Sequence, residues 1–319
     1  MKHGRIPWNL VFVCGRVCGV TNWPSYDRAL VQRGDITMWG SEDALDAWKP
    51  RPSRRRGGQK RYSDTAIETT LTSRLFFNLP LRQTEGFLRS LFDLMGLSLE
   101  VPDHTTLSRR GQHPNVRLRR PANNKPRHLI VDSTGLSMVG EGEWAAAKHG
   151  KKGKRAWKKL HLGVDRSGVI VAQVLTDSNV DDASTGVDLI KQVDGKLTSI
   201  TGDAAYDTSA IYGAALGRGA KVVVPPTRKA VVSGRRQRVQ ARDRTIRRVK
   251  KLGRREWKKE SAYHRQGTVE NAFFRFKSII GDRLRARSPE AQRAEAVVAC
   301  NALNKMFDLG RPVSKAIAS

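Results

Sequence analysis

The sequence has few cysteines. Cys14, Cys18 and Cys300 are the only three in 319 residues, and such an odd, sparse set argues against a disulfide framework and favours a reducing compartment. Cys14 and Cys18 are close in sequence, and His3 is the one histidine before them, but no second pair of ligands follows. We therefore do not expect a structural zinc site near the N-terminus.

Long apolar runs are also missing. The most apolar stretch near the start, residues 8–20, is interrupted by Arg16, and no small-residue cleavage site follows it, so it does not fit a secretory signal. No other stretch approaches the roughly 20 apolar residues that a membrane span needs. We interpret residues 1–21 as a poorly structured leader and expect a soluble, cytoplasmic protein.

Acidic residues are scarce beside basic ones. The chain has 30 Asp and Glu against 59 Lys and Arg, which gives a formal net charge of +29. A compact body with that excess repels itself unless a polyanion neutralises it, and nucleic acid is the commonest such partner. Because 39% of the residues are apolar, the chain can bury a core. Charge alone fits a DNA-processing enzyme and a basic ribosomal or nucleoid protein equally well.

Helical periodicity dominates the chain after a basic linker. Residues 22–60 mix aromatic and charged residues and end in a flexible segment rich in Pro, Arg and Gly. Residues 61–125 then predict three short helices, which begin at Ser63, after Pro80 and at Asp103.

The third of these helices is polar and basic. It carries Arg109 and Arg110, so the region fits a helix-turn-helix-like DNA-binding module in which these two arginines contact DNA. A plain helical bundle with a solvated last helix explains the same periodicity, and both interpretations stay open.

From residue 126 the hydrophobic period becomes that of strands. Three strands are followed by alternating helices and strands, an order that predicts an α/β domain with a mixed sheet flanked by helices, as in ribonuclease-H-like folds. We expect this catalytic domain to span residues 126–312, with a basic segment at 227–260 and a tail at 313–319. The expected helices of the domain cover residues 183–193, 208–216, 261–280 and 290–307.

Two apolar strands each deliver an aspartate. Asp132 follows Leu129-Ile-Val at a predicted strand end, and Asp203 follows Ile200-Thr-Gly, where Gly202 allows a close approach of backbone. Phosphodiester cleavage uses two divalent ions about 3.5–4 Å apart, and Mg²⁺ takes carboxylate ligands. Aspartates at the end of a sheet in a DNA-binding protein are therefore candidate metal ligands, although each alone fits a turn.

A third acid lies in a later helix pattern. Helical spacing puts Tyr263, Gln266 and Glu270 on one face, with Lys277 two turns beyond Glu270. Glu270 borders an apolar stripe and can therefore point at the sheet. Three further acids at a strand end, Asp177, Asp181 and Asp182, are interpreted as caps of the helix that follows.

Together these residues resemble a known family. Asp132, Asp203 and Glu270 resemble the catalytic triad of the DDE-type transposases of bacterial insertion sequences, and the helix resembles the Tyr-Arg-Glu-Lys signature of one group of them. Tyr263, Glu270 and Lys277 match that signature, whereas Gln266 stands at the Arg position. Asn22-Trp-Pro-Ser-Tyr, Thr105-Thr-Leu-Ser-Arg-Arg and Leu303-Asn-Lys-Met are similar to the insertion sequence five branch. The resemblance spans about residues 22–312, so we expect a full-length chain.

The resemblance implies an activity and its partners. Asp132, Asp203 and Glu270 would hold two Mg²⁺ ions, for which Mn²⁺ can substitute, while the protein cuts the ends of its element and joins the exposed 3′-hydroxyls to target DNA. The partners would be double-stranded DNA, namely the terminal inverted repeats and the target, and a second subunit in a homodimer on that DNA. The setting would be the bacterial cytoplasm, in association with the nucleoid. The expected DNA contacts are Tyr263, Arg265, Gln266, Lys277, Arg109 and Arg110.

Two other functions remain open. A catalytically silent derivative, such as a repressor, would use the same basic surface, and Gln266 is the one departure that favours it. A stand-alone nuclease would cut DNA without joining it. Retention of all three acids favours the transposase, because a protein that only binds DNA has no use for carboxylates facing a polyanion.

Overall fold

The structure is a computed structural model, and it describes residues 10–13, 16–35, 42–50, 59–112, 116–119, 127–138, 157–233 and 237–316. Its helices are α1 (Trp23–Gln32), α2 (Glu42–Asp46), α3 (Asp64–Phe76), α4 (Leu81–Leu94), α5 (His104–Arg110), α6 (Asp182–Gln192), α7 (Ser209–Gly217), α8 (Gln237–Leu252), α9 (Arg254–Glu260), α10 (Gly267–Arg275) and α11 (Pro289–Leu309). Its strands are β1 (Leu10–Val13), β2 (Arg16–Val20), β3 (Arg127–Met138), β4 (Trp157–Val164), β5 (Ile170–Asp177), β6 (Leu197–Thr201), β7 (Lys221–Val223), β8 (Arg283–Leu284) and β9 (Ser314–Ala316).

A mixed sheet forms the centre. Its strands lie in the order β5-β4-β3-β6-β7, and β8 pairs with the far end of β3. β3, β4 and β5 are antiparallel, whereas β6 and β7 run parallel to β3. Leu129 and Val131 of β3 belong to the core shared with α6 and α7, and Ile130 and Leu136 to the core shared with α10 and α11. The predicted α/β class, with helices flanking a mixed sheet, is confirmed.

The helices α3, α4 and α5 begin where the sequence predicts. The Ser63 hydroxyl accepts a hydrogen bond from the Ala66 amide at 3.0 Å, and Asp103 accepts one from the Thr106 amide at 2.9 Å. Ile67 lies in the same hydrophobic core as strand residues of the central sheet. The helical region is therefore packed onto the sheet as part of one core. A helix-turn-helix here stays a prediction.

The two ends of the described chain meet in a second sheet. β1 and β2 form an antiparallel pair, and β9 adds to β2 as the third strand. Asn22 strengthens this junction, because its side chain donates to the Arg311 carbonyl at 2.8 Å and accepts from the Val313 amide at 2.6 Å. The expectation of a poorly structured leader is wrong for residues 10–13 and 16–20, which form β1 and β2. The strand that completes their sheet, β9, is far away in sequence.

The basic segment is mostly helical. Residues 237–260 form α8 and α9, separated by Gly253. α8 is anchored by an ion pair between Arg242 and the fully buried Asp207 carboxylate, with nitrogen–oxygen distances of 2.7 and 2.8 Å. Arg244, Arg247 and Lys251 remain exposed on α8. The segment therefore presents positive charge from a fixed helix.

The predicted helix at 261–280 is broken into three parts. A 3₁₀ turn covers Tyr263–Gln266, α10 follows, and Phe276–Ile280 form a π-helical turn closed by a bond from the Gly281 amide to the Phe276 carbonyl. The positive φ of Ala262 starts the irregularity.

Among the residues that the structure describes, no helix is both long and apolar enough to cross a membrane.

Candidate active site

Asp132 and Asp203 lie at the edge where β6 ends. The parallel register of β3 and β6 ends at Ile130 and Thr201, so each aspartate stands two residues beyond the last pair. Neighbouring strands are about 4.8 Å apart, and the two carboxylates therefore share this edge. The prediction that Asp132 ends its own strand is wrong, because β4 and β8 continue to pair with β3 as far as Met138.

The backbone after β6 fixes Asp203. Its carboxylate accepts a hydrogen bond from the Ala205 amide at 2.9 Å and caps a 3₁₀ turn. A Cβ on Gly202 would lie 2.9 Å from the ring of Tyr206, which is buried below this turn. Glycine is thus needed next to Asp203, and its close neighbour is a tyrosine ring.

Glu270 approaches from α10. Val269 and Phe273 of this helix are buried in the core beneath the sheet, and Glu270, in the first turn, is exposed. The helix therefore buries its apolar stripe and leaves the glutamate at its border, as the sequence predicts.

The three carboxylates influence one another electrostatically. The pKa of Asp132 is raised to about 6, mainly by burial, and the negative charges of three neighbours contribute to the rise, namely Asp203, Glu270 and Asp182. Burial also raises the pKa of Tyr263 to about 12, and the charges of Asp203, Asp132 and Glu270 add to that shift. The acids and the tyrosine therefore lie in one environment.

The donor set fits a magnesium ion. None of the three predicted ligands forms an ion pair with Lys or Arg in the described part of the chain, although the protein carries 59 basic residues. In the same ranges no three side chains already stand as a complete metal-binding group. Mg²⁺ commonly binds one or two carboxylates and fills its shell with water and phosphate oxygens. The residue types thus fit a divalent ion of this kind.

Gln266 lies beneath the site. Its side chain is 5% exposed, and Nε2 donates to the Val131 carbonyl at 3.1 Å. Its Oε1 is buried and has no partner within the described residues. Burial contradicts the expected DNA contact of Gln266. The side chain instead ties the start of α10 to the residue before Asp132.

The other signature residues are more accessible. Tyr263 packs beside Trp257, with ring centroids 6.1 Å apart, and the Lys258 ammonium lies 5.0 Å from the centre of its ring. Lys277 is exposed on the π-helical turn. Arg265 lines a cavity on the same side of the sheet. DNA contacts of these residues stay predictions.

The two arginines of α5 differ in their surroundings. Arg110 forms an ion pair with Asp64 and donates to the Tyr62 carbonyl. These bonds give Arg110 a role within the fold, and a DNA contact of Arg110 stays a prediction. Arg109 lies at the rim of a groove between α5 and the start of α11, where a DNA contact remains a prediction.

Asp182 is an acid near the site that the sequence analysis assigns to a helix cap. Asp181 is the cap, because its carboxylate accepts the Ser184 amide at 2.8 Å. Asp182 instead pairs with Lys159 at 3.1 Å and raises the pKa of both Asp132 and Asp203. Two consecutive acids at a helix start carry no signal of which one faces the sheet.

Comparisons with known proteins extend this picture. Two family models described as a transposase DDE domain match the chain. One matches residues 31–141, and the other matches residues 123–305, which are more than half of the chain. Among solved structures, a chain of the piggyBac transposase synaptic complex with hairpin DNA is 11% identical, with a TM-score of 0.36, over 88% of this chain and 75% of that one. A chain of the simian T-cell lymphotropic virus intasome in complex with PP2A regulatory subunit B56 gamma is 14% identical, with a TM-score of 0.23, over 67% of this chain and 74% of that one.

Proposed function

The chain belongs to the transposase DDE domain family, and we propose that it binds the ends of an insertion sequence, cuts them and joins them to target DNA. Two observations support the proposal in a chain of net charge +29: Asp203 and Glu270 are near enough to Asp132 for their charges to raise its pKa, and none of the three acids has an ion pair with Lys or Arg among the described residues. A surface built only to bind DNA would gain nothing from these repelling charges.

The fold and branch follow from the same proposal. The strand order β5-β4-β3-β6-β7, with three antiparallel strands followed by two parallel ones, supports a ribonuclease-H-like domain. The spacing of Tyr263, Glu270 and Lys277 supports the insertion sequence five branch with its Tyr-Arg-Glu-Lys signature. Gln266 departs from the signature, but its hydrogen bond to β3 provides a structural reason for an uncharged residue there.

The carboxylates would hold two Mg²⁺ ions, or Mn²⁺ in their place. When bound, such ions activate a hydroxyl for in-line attack and stabilise the leaving oxygen. Asp132 and Asp203 would share the ions from the sheet, and Glu270 would complete the second site from α10. The Gln266 bond to the Val131 carbonyl would keep α10, and so Glu270, at a fixed height over the sheet.

Basic side chains would place the scissile phosphate. Tyr263 lies near the carboxylates, whose charges add to the rise of its pKa. Lys277 and the cations Arg244, Arg247 and Lys251 of α8 are exposed and would contact phosphates. Phosphate contacts of this kind orient DNA without reading its sequence. Two element ends must be cut and joined together, so we propose that two copies of the chain act as a homodimer on DNA.

The test is cleavage and joining of labelled DNA that carries the element's own ends, with Mg²⁺ or Mn²⁺. We expect metal-dependent nicks and joined products, and we expect Glu270→Gln to abolish both while retaining DNA binding. Asp188→Asn is the matched control, because Asp188 is an exposed acid of α6 whose ion pair is with Lys191, one turn along the same helix.

The outcomes separate the candidate functions. Nicking with joining, lost in Glu270→Gln and kept in Asp188→Asn, supports the transposase. Nicking without joining would establish a nuclease instead. Tight binding without nicks at any metal concentration would establish the silent DNA-binding derivative.

A further inference from the structure

A small cavity lies beside the predicted metal site. It has a volume of about 270 Å³, and its lining comes from the starts of β3 and β6, from β7, from the β4–β5 turn and from the segment between α9 and α10. His128 and Ile130 of β3 line it. Because alternate residues of a strand face the same side, these two and Asp132 lie on one face of β3.

The cavity is cationic. It is lined by His128, Arg166, Lys221 and Arg265, and no carboxylate is among its described lining residues. The pKa of His128 is lowered by burial and then by the charges of Arg166 and Arg265. Arg166 in turn has its pKa lowered by burial and by Arg265. The guanidinium groups of Arg166 and Arg265 therefore act on each other and disfavour the charged form of His128, without a neutralising acid in the described lining.

An acid near Lys221, Glu260, is engaged elsewhere. Glu260 is held by Arg248 in an ion pair at 2.8 Å. Bringing like charges together around a cavity destabilises the folded chain. An anion in the cavity would remove that repulsion.

Hydroxyl groups complete the lining. Thr198, Ser199, Thr201 and Ser261 all line the cavity. The Ser261 hydroxyl is buried without a partner among the described residues. The Ser199 hydroxyl bonds to Nδ1 of His128 at 2.7 Å, which fixes the imidazole ring. A phosphate group, with several acceptor oxygens, matches cationic and hydroxyl donors of this kind.

We propose that this cavity binds a phosphate group, which in the working complex is a backbone phosphate of the DNA strand that crosses the carboxylates. The assignment of that source rests on the proposed function. His128 lies four residues before Asp132 on β3, a span of about 13 Å at roughly 3.3 Å per residue. The bound phosphate therefore lies a few nucleotides from the scissile one.

The first test removes one cation. Arg166 is exposed in the β4–β5 turn and has no hydrogen bond or ion pair within the described part of the chain, so Arg166→Ala should leave the fold intact, which a thermal melt checks. DNA affinity should fall, and the slope of log affinity against log salt should decrease by about 0.9, the value for one phosphate contact. The ratio of wild-type to variant DNA affinity should therefore fall about 3.5-fold between 50 and 200 mM salt. Lys191→Ala, on α6 at the other face of the sheet, should leave affinity and slope unchanged.

The second test locates the phosphate. Duplexes in which one phosphate at a time is replaced by a neutral methylphosphonate should show a position, a few nucleotides from the cut, where wild-type affinity drops and Arg166→Ala affinity does not. Ser261→Ala, which removes only the buried hydroxyl, should weaken binding at the same position. Both variants could match wild type in DNA affinity, in salt dependence and in methylphosphonate pattern, while wild type binds and cuts DNA. In that case the cavity is not a DNA phosphate site, and the proposed function stands.

A third arm separates the two sources of phosphate. Calorimetric titration with inorganic phosphate tests the cavity without DNA. Binding that depends on Arg166, together with an unchanged methylphosphonate pattern, would replace the DNA assignment by a free anion. Failure of the wild type to bind DNA at all would overturn both the proposed function and the DNA source. Absence of any Arg166-dependent effect in all three arms would overturn the site itself.

Discussion

The ion pair between Asp207 and Arg242 should be the most sensitive polar contact of the basic segment. The Asp207 carboxylate is fully buried, and it accepts two bonds from the guanidinium, at 2.7 and 2.8 Å, and one from the Thr227 amide at 3.1 Å. Replacing Asp207 by Asn keeps the shape but leaves the Arg242 charge uncompensated. Breaking one partner of a buried pair costs about 3–5 kcal/mol, a large part of the roughly 5–15 kcal/mol by which domains are stable.

The assay is urea unfolding at pH 7.5, followed for wild type, Asp207→Asn, Arg242→Gln and the double variant. We expect each single change to lower the free energy of unfolding by about 3–5 kcal/mol. The double variant should be about 2–3 kcal/mol more stable than the sum of the single effects predicts, because no lone charge remains.

A surface pair between α8 and α9 supplies the control. Arg248 and Glu260 are each about half exposed, at 48% and 49%, and lie 2.8 Å apart. Exposed pairs contribute about 0–1 kcal/mol, so Glu260→Gln should change stability little. Single effects below about 1 kcal/mol at Asp207 and Arg242, with simple additivity in the double variant, would refute the reasoning from burial.

Three further predictions concern the candidate site. Without metal, Asp132→Asn should raise the melting temperature at pH 7.5 but not at pH 4. Because the raised pKa of Asp132 means that folding favours the protonated acid, wild-type stability is lost as the pH rises towards about 6, by about 1–2 kcal/mol after discounting for solvent screening. Equal effects of the substitution at both pH values would contradict this. Gln266→Met should lower the cleavage rate more than the DNA affinity, since it releases α10 from β3. Single-turnover kinetics and a binding isotherm measure the two effects, and a larger loss of affinity than of cleavage rate would contradict the prediction. Gly202→Ala should destabilise by about 1–3 kcal/mol through overpacking in urea unfolding, whereas Gly217→Ala, where the added Cβ would meet nothing within 4 Å, should not.

Local features of the chain were largely predictable from sequence. Ser63 and Asp103 cap their helices because a short polar side chain beside an apolar-periodic run has few other uses. The meeting of Asp132 and Asp203 also follows from sequence, since apolar parallel strands that are neighbours place equivalent residues at one edge. These inferences rest on periods of two or 3.6 residues, which depend on nearby residues alone.

Features that depend on distant residues were not predictable. Helical spacing places Gln266 on a surface with Glu270, but the positive φ of Ala262 and the 3₁₀ turn rotate Gln266 into the interior, where the Val131 carbonyl is its partner. Arg110 and Arg242 looked like two cations among many, and only the fold reveals Asp64 and Asp207 opposite them. The number of charged residues in a sequence does not indicate which of them form ion pairs in the fold.

The three-stranded sheet of β1, β2 and β9 has a consequence for the order of folding during synthesis. An isolated two-stranded hairpin is marginally stable in water, and β2 acquires its outer neighbour only from residues 314–316. Residues 10–20 therefore leave the ribosome long before the strand that stabilises them has been made. The N-terminal hairpin should become protected against hydrogen exchange only after residues 314–316 have been synthesised.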